Sequence, residues 1–306
     1  MLTTTVAGSD QFEHLVFLSD TPAISRTGFR RVAPAPMPKP KARNEPALEP
    51  ALAGLFEVLC GRAGLRTTDY RPSMFRRRAG ACLRAMRSST AEEALGVLGT
   101  DTTRAEHGLN ALLVGVTGFF RDPHVFEALA FELARRVGGR QRYRVMSVGC
   151  SNGAELYSCA MLLAELGRLA EADLTGIDCR RDAVAVAEHG AYDPALLDGV
   201  EPGLAARYFR ASAGRMWIRD DLKRACAWQV ADAMRFSAGD RLDLVLCRNL
   251  AIYLEPAASE RLWTRLHALL VPGGLLCVGK AERPPARLFT RIGPCLFRAQ
   301  PITGGS

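Results

Sequence analysis

The stretch Arg144-Val-Met-Ser-Val-Gly149-Cys-Ser-Asn-Gly153 decides how this chain folds. A short apolar run that ends in glycine reads as a buried strand stopping at a turn. Glu155 to Leu169 behind it reads as a helix. The same grammar repeats further along. Asp173-Leu-Thr-Gly-Ile-Asp178 is a second strand, ending in an acid and followed by a helix through Ala183 and Ala187. Leu242-Asp-Leu-Val-Leu-Cys247, a helix over 257–270 and Gly274-Leu-Leu-Cys-Val-Gly279 extend the series. Strands alternating with helices predict an α/β fold with a doubly wound, largely parallel sheet. Between about 200 and 232 the alternation breaks. There Arg207–Arg210, Arg215–Ile218 and Ala225–Val230 are expected to form a small antiparallel β insertion.

On the N-terminal side the period is helical. Leu48, Leu52, Leu55, Phe56 and Leu59 predict a helix beginning near Asn44 as N-cap, with Pro46 in its first turn and Gly61 and Gly64 ending it. Further helices are expected over 72–88, 90–99 and 102–115, with no strand among them. Ahead of these, Pro34, Pro36, Pro38, Pro40, Pro46 and Pro50 hold the chain extended and supply no core. The expected organisation is a proline-rich tail over 1–44, a helical N-terminal domain over 45–115, and an α/β domain over 116–306 that carries the insertion.

Composition narrows the function classes. With 306 residues, 48% of them hydrophobic, the chain can bury a large core. No apolar run is long enough to span a bilayer, and Asp10, Glu13 and Asp20 interrupt any leader-like segment. These features predict a soluble, cytoplasmic protein without membrane insertion. Nine cysteines with no C-x-x-C pair, and five scattered histidines, predict neither a disulfide framework nor a metal site. The net charge of +8 is concentrated in part on the 72–88 helix, at Arg76, Arg77, Arg78, Arg84 and Arg87. No nucleic-acid motif accompanies that run and no aromatic residues interleave with it, so nucleic acid is not expected as a partner. A solvated helix face is the plainer reading of such a run, and a monomer is the default state.

Ligands of an open parallel sheet bind beyond the carboxyl ends of the strands, and three features fall there. Gly149-Cys-Ser-Asn-Gly153 lets a ligand approach the backbone, but Ser151 replaces the second glycine of the dinucleotide fingerprint. Asp178 can accept hydrogen bonds from both hydroxyls of a ribose, or alternatively cap the next helix. Asp243-Leu-Val-Leu-Cys-Arg-Asn249 delivers Arg248 and Asn249 to the crevice, with Leu250 adjoining and Tyr253 a turn onward. Together they favour a nucleoside cofactor without phosphates, for which S-adenosylmethionine is the natural candidate.

These residues also carry a family resemblance. Thr117-Gly-Phe-Phe-Arg-Asp122, with Phe126 and Leu129, resembles the T-x-F-F-R-D signature of the chemotaxis receptor methyltransferases, the CheR-like enzymes. Val148-Gly-Cys-Ser-Asn-Gly-Ala-Glu-Leu-Tyr-Ser158 resembles their glycine loop. Gly176-Ile-Asp178, Gly190-Ala-Tyr192, Tyr208-Phe209, Cys247-Arg-Asn249, Ile252-Tyr253, Gly273-Gly274 and Gly279-Lys-Ala-Glu282 follow in the family's order. The resemblance covers about residues 45–298. It implies a class I S-adenosylmethionine-dependent methyltransferase fold with a small helical N-terminal domain and an antiparallel β insertion. It implies transfer of a methyl group to glutamate side chains on chemoreceptor cytoplasmic helices, leaving glutamyl methyl esters and S-adenosylhomocysteine.

The resemblance places Thr117, Arg121, Glu155, Asp178, Asp232, Asn249 and Tyr253 in the cofactor or substrate site; Gly149, Gly153 and Leu250 complete the cofactor-binding candidates. Arg121 and Tyr253 are the catalytic candidates, and the basic helix would face the receptor. The sequence departs from the family at Asn152, Ala154, Leu156, Asp232 and Lys280-Ala281. Two alternatives therefore stay open. One is a divergent methyltransferase acting on another protein or a small molecule; the other is a module that binds S-adenosylmethionine without catalysing. The absence of an Asn-Pro-Pro-Tyr segment where Cys247-Arg-Asn249 stands speaks against methylation of nitrogen.

Overall fold

A computed structural model describes residues 47–113, 115, 117–136 and 142–301. The proline-rich tail over 1–44, and Asn44 and Pro46 with it, lie outside the described residues. The first helix, α1, runs Pro50–Arg62, so Pro50 supplies the first-turn proline and Leu48 precedes the helix. Gly61 lies inside α1, and the chain turns at Gly64, where φ is +72°.

Helices α2 (Pro72–Ala85), α3 (Ala91–Val97) and α4 (Thr102–Leu112) follow. The hydroxyl of Thr90 accepts the Glu93 N–H at 3.2 Å, and Asp101 accepts that of Arg104 at 3.0 Å. Each thereby satisfies a backbone donor that the first helical turn leaves free. The apolar faces of these four helices close on one another around Leu55, Phe56, Leu59, Phe75, Met86 and Leu112. The Phe56 and Phe75 rings stack at 5.2 Å.

After α5 (Pro123–Arg136) the strands and helices alternate: β1 (Tyr143–Val148), α6 (Ala154–Glu165), β2 (Ala172–Asp178) and α7 (Arg181–His189). Five parallel strands lie in the order β6 (Cys226–Val230), β2, β1, β7 (Leu242–Cys247), β8 (Leu270–Val278). The antiparallel pair β10 (Leu296–Ala299) and β9 (Phe289–Gly293) completes the seven-stranded sheet. Every residue of β7 is buried, as a strand covered on both faces requires. Helix α10 (Pro256–Leu269) packs Leu262, Trp263 and Leu266 into the same core.

The insertion differs from expectation in one strand. Cys226–Val230 pairs parallel with β2 and forms the edge of the main sheet. The small antiparallel sheet instead joins β3 (Ala191–Tyr192), β5 (Arg215–Ile218) and β4 (Phe209–Ser212), in that order. Residues 226–229 alternate in burial as a half-exposed strand does, so only the partner available in space separates the two assignments.

The helical layer is tied to the sheet by backbone. Arg71 N donates to Tyr253 O and Glu255 N to Asp69 O, both at 2.9 Å, and Tyr70 bridges Leu254. Asn110 Nδ2 donates to Asp182 of α7 at 2.6 Å.

Candidate functional site

The strand order turns back between β1 and β7, and the cleft opens there, beyond their carboxyl ends. The N–H groups of Gly149 and Cys150 both donate to Ile177 O at 2.9 Å, folding the loop under the end of β2. Thr117, Arg121, Gly149, Glu155, Asp178, Asp232, Asn249, Leu250 and Tyr253 line this cleft. Helices α2 and α4 close its far wall with Met74, Arg78 and Leu112, and Tyr70 stands in the same wall.

Gly153 does not line the cleft. Its φ is +84°, and a Cβ there would approach Trp228 to 2.6 Å and Ala187 to 2.7 Å. Its smallness lets α6 start against β6 and α7, so the structure makes it a packing residue.

Four of the non-glycine residues with left-handed backbone flank this cleft: Phe120 (φ 49°), Asp122 (φ 62°), Ser151 (φ 53°) and Asn249 (φ 61°). Such residues persist where surrounding contacts over-determine them, at about 1–3 kcal/mol each, and each has its holder here. Phe120 N donates to Ser158 Oγ and Ser151 N to Asp178 Oδ2, both at 2.9 Å. Asp122 and Asn249 are held by two charged residues, Arg248, which the sequence reading placed at the crevice, and Glu282, which it quoted only within a motif.

The first is Arg248, whose side chain is 3% exposed. Its Nη2 donates to Arg121 O at 2.8 Å and to Asp122 Oδ2 at 2.7 Å, and its Nη1 donates to Glu155 Oε2 at 3.3 Å. One guanidinium therefore ties the loop after β7 to the loop at 121–122 and to the first turn of α6. Ser147 donates to the other oxygen of Glu155 at 3.0 Å. Burial raises the Glu155 carboxyl above its ordinary range, against the opposing charge of Arg248. At Asp122 burial also raises the carboxyl. The Lys280 hydrogen bond, with the charges of Arg248, Lys280 and Arg121, outweighs it and leaves Asp122 below its ordinary range. Lys280 Nζ lies 2.6 Å from Asp122 Oδ1, so this departure from the family pattern makes an ion pair.

The second is Glu282, 3% exposed. Its carboxylate accepts four backbone N–H groups: Asn249 at 2.9 Å, Leu250 at 2.9 Å, Ala251 at 2.7 Å and Gly279 at 2.6 Å. A Cβ on Gly279 would lie 2.6 Å from Asn249 Nδ2, so the Asn249 side chain fits because residue 279 has none.

At the β2 end, Asp178 is 6% exposed and meets Arg180, whose Nε lies 3.0 Å from Asp178 Oδ1. Asp232 accepts Met234 N at 2.9 Å, and burial raises its carboxyl above the ordinary range. The donor set suits a phosphate-free, cationic nucleoside. Carboxylates Glu155, Asp178 and Asp232 are spread along the cleft, and Gly149 lets a ligand lie against the backbone. Among the described residues no group of three or more His, Cys, Asp or Glu could hold a metal ion.

Five parallel strands, a final antiparallel pair, a glycine loop after the first strand and an acid ending the second define a class I S-adenosylmethionine-dependent methyltransferase fold. The chain belongs to the CheR methyltransferase family: the model described as "CheR methyltransferase, SAM binding domain" matches residues 115–291, and S-adenosylmethionine is the cofactor of that domain.

Among curated relatives, an uncharacterized 104.1 kDa protein of Rhodobacter capsulatus is 28% identical over 77% of this chain and 26% of its own length. A probable biofilm formation methyltransferase, WspC, of Pseudomonas putida is 33% identical over 60% of this chain and 45% of its own. The chemotaxis protein methyltransferase of Salmonella typhimurium is 29% identical over 74% of this chain and 82% of its own. The chain thus spans less than half the length of the first two.

Proposed function

We propose that this chain transfers the methyl group of S-adenosylmethionine to glutamate carboxylates of chemoreceptor proteins, forming glutamyl methyl esters in chemotaxis-type signalling. The observation that carries the proposal is the meeting of Arg121, Glu155, Asp178, Asp232, Asn249 and Tyr253, drawn from separate motifs, around one cleft. The names of the relatives, for chemotaxis and biofilm formation, support a substrate in sensory signalling.

When bound, S-adenosylmethionine supplies a methyl group already activated on a sulfonium. In the proposal Asp178 receives the ribose hydroxyls and Asp232 the adenine amine. Glu155 complements the cationic methionine portion; Thr117, Gly149, Asn249 and Leu250 complete the cofactor wall. Arg121 fixes the cofactor or steers the incoming carboxylate, and Tyr253 closes the other side of the transfer path. A glutamate with a pKa of about 4.3 is ionised at neutral pH, so no residue has to act as base. The protein's work is alignment and exclusion of water.

The division at about residue 115 belongs to the same proposal: helices α1–α4 meet the receptor, and the remainder carries the transfer site. On α2, Arg77 and Arg84 are exposed, while Arg76 and Arg78 are half-buried, with Arg78 on the cleft wall; Arg87, expected on the same helix, lies exposed in the turn beyond its end at Ala85. Such a face supports steering of an acidic partner.

The test is incubation with S-adenosylmethionine labelled in the methyl group and receptor cytoplasmic fragments. Base-labile label released as methanol, and lost when receptor glutamates are changed to alanine, is the expected result. Cofactor binding without transfer to any receptor would overturn the substrate assignment.

A further inference from the structure

The carboxylate proposed to hold the ribose is already fully engaged. Asp178 Oδ1 accepts Arg180 Nε and Arg180 N, both at 3.0 Å. Its Oδ2 accepts Ser151 N at 2.9 Å and Arg180 Nη2 at 3.2 Å. A carboxylate offers about four lone-pair sites, and these four donors take them. Arg180 Nη2 also donates to Ser151 Oγ at 3.0 Å, so the guanidinium is fastened to both sides of the loop crossing. The two side chains are 6% and 11% exposed, so water competes little for the pair.

Arg180 also has somewhere else to go. It lines the cleft on one side and, on the other, a separate outer hollow, where Glu106 and Asp182 share the wall with Arg62, Arg181 and Arg235. A guanidinium turned outward would exchange one carboxylate for others.

We infer that Arg180 sets the affinity of the nucleoside site: its guanidinium competes with the ribose hydroxyls for Asp178 and swings into the outer hollow when a ribose seats. The inference rests on Asp178 as the ribose acceptor. Two hydroxyl donors cannot join a carboxylate whose acceptor sites are filled, so every binding event pays for displacing the Arg180 fork. Removing the guanidinium takes that cost away. The arrangement makes Arg180 a positioning residue, one that acts on the cofactor through Asp178.

The experiment is titration calorimetry of the full chain with S-adenosylhomocysteine, together with stopped-flow association followed by tryptophan fluorescence. Arg180→Ala is expected to bind about tenfold more tightly, the equivalent of roughly 1.4 kcal/mol, and to associate faster than the parent. Asp178→Asn is expected to weaken binding at least tenfold. The double variant should bind like Asp178→Asn, because the gain from Arg180→Ala depends on a free Asp178. Arg180→Gln, which keeps a neutral donor, should fall between parent and alanine variant, and serves if Arg180→Ala does not fold. Equal or weaker binding by both position-180 variants would overturn the inference. Undiminished binding by Asp178→Asn would instead overturn the ribose assignment beneath it, and the inference with it.

Discussion

Glu282 fastens the backbone of Asn249 in the left-handed conformation it adopts after β7. The carboxylate Oε2 accepts the Asn249 N–H at 2.9 Å while Asn249 sits at φ 61°. The same carboxylate takes the next two N–H groups of the β7 loop and that of Gly279. The loop that carries Asn249 and Leu250 into the cleft is therefore shaped by a buried anion from the loop after β8. Asparagine at 249 tolerates the positive φ, and the buried carboxylate fixes the N–H groups that follow it.

Glu282→Ala should cost about 3 kcal/mol or more. It leaves buried N–H groups without an acceptor, each worth about 1–3 kcal/mol. Urea unfolding measures the loss, and an unchanged midpoint would mean that the loop holds its shape alone.

Arg248→Met leaves Glu155 and Asp122 without their buried partner, and breaking a buried pair costs about 3–5 kcal/mol. Adding Glu155→Gln to that variant should recover part of the loss, since the stranded charge goes. A double-mutant cycle over the two positions reads the coupling directly. Additive effects would contradict the bridge.

Asp122 carries a pH signature. The folded state keeps it ionised at pH values where the unfolded chain takes up a proton. Its stabilisation is then fully present above the ordinary carboxylate range and disappears as pH falls through the folded-state value. The gap in unfolding free energy between the parent and Asp122→Asn, about 1–3 kcal/mol at pH 7, should narrow as the solution is acidified towards pH 3. A gap that is constant with pH would show that the carboxylate charge is not what matters.

Gly153→Ala tests a glycine whose role is packing. The added methyl would meet Trp228 and Ala187 below 3 Å at a backbone of φ +84°. Overpacking of this kind costs about 1–3 kcal/mol. Placing the change in a Trp228→Leu background should restore part of the stability, as thermal unfolding would record. No rescue would point to the backbone conformation alone.

Arg121→Ala should cost less stability than Arg248→Met, because the Arg248 brace uses the Arg121 carbonyl and the Arg121 charge is the smallest of those holding Asp122 ionised. Turnover should fall about a hundredfold if the guanidinium orients a reacting carboxylate. Single-turnover label transfer measures it, and unchanged turnover would remove Arg121 from the proposed mechanism.

Strands β1, β2, β7 and β8 were legible because each is a short apolar run, the pattern that burial on both faces demands, while β9 and β10 at the end of the sheet were not read from the sequence. Cys226–Val230 was legible as a strand but not as an edge of this sheet, since half-exposed alternation is common to both sheets. Helix α1 starts at Pro50, later than the sequence reading placed it, because proline suits a first helical turn as well as an extended tail and Leu55, Phe56 and Leu59 pack from there.

Gly149, Asp178 and Asn249 could be read from spacing, because glycine after one strand and an acid after the next are local requirements of a nucleoside cleft; Thr117, Arg121, Glu155 and Asp232 were named by the family resemblance. Their supports could not. Arg248 reaches Arg121 across 127 positions, Glu282 reaches Asn249 across 33, and Arg180 fastens Ser151 across 29. The sequence by itself determined the alternation of elements and the loops at which chemistry gathers, since propensity, burial period and turn residues act over a few neighbours. Only the tertiary structure decided which charges brace the site and which carboxylate is already taken. Hydrogen bonds and ion pairs form between atoms that meet in space, and loops distant in the chain meet only once the sheet has assembled.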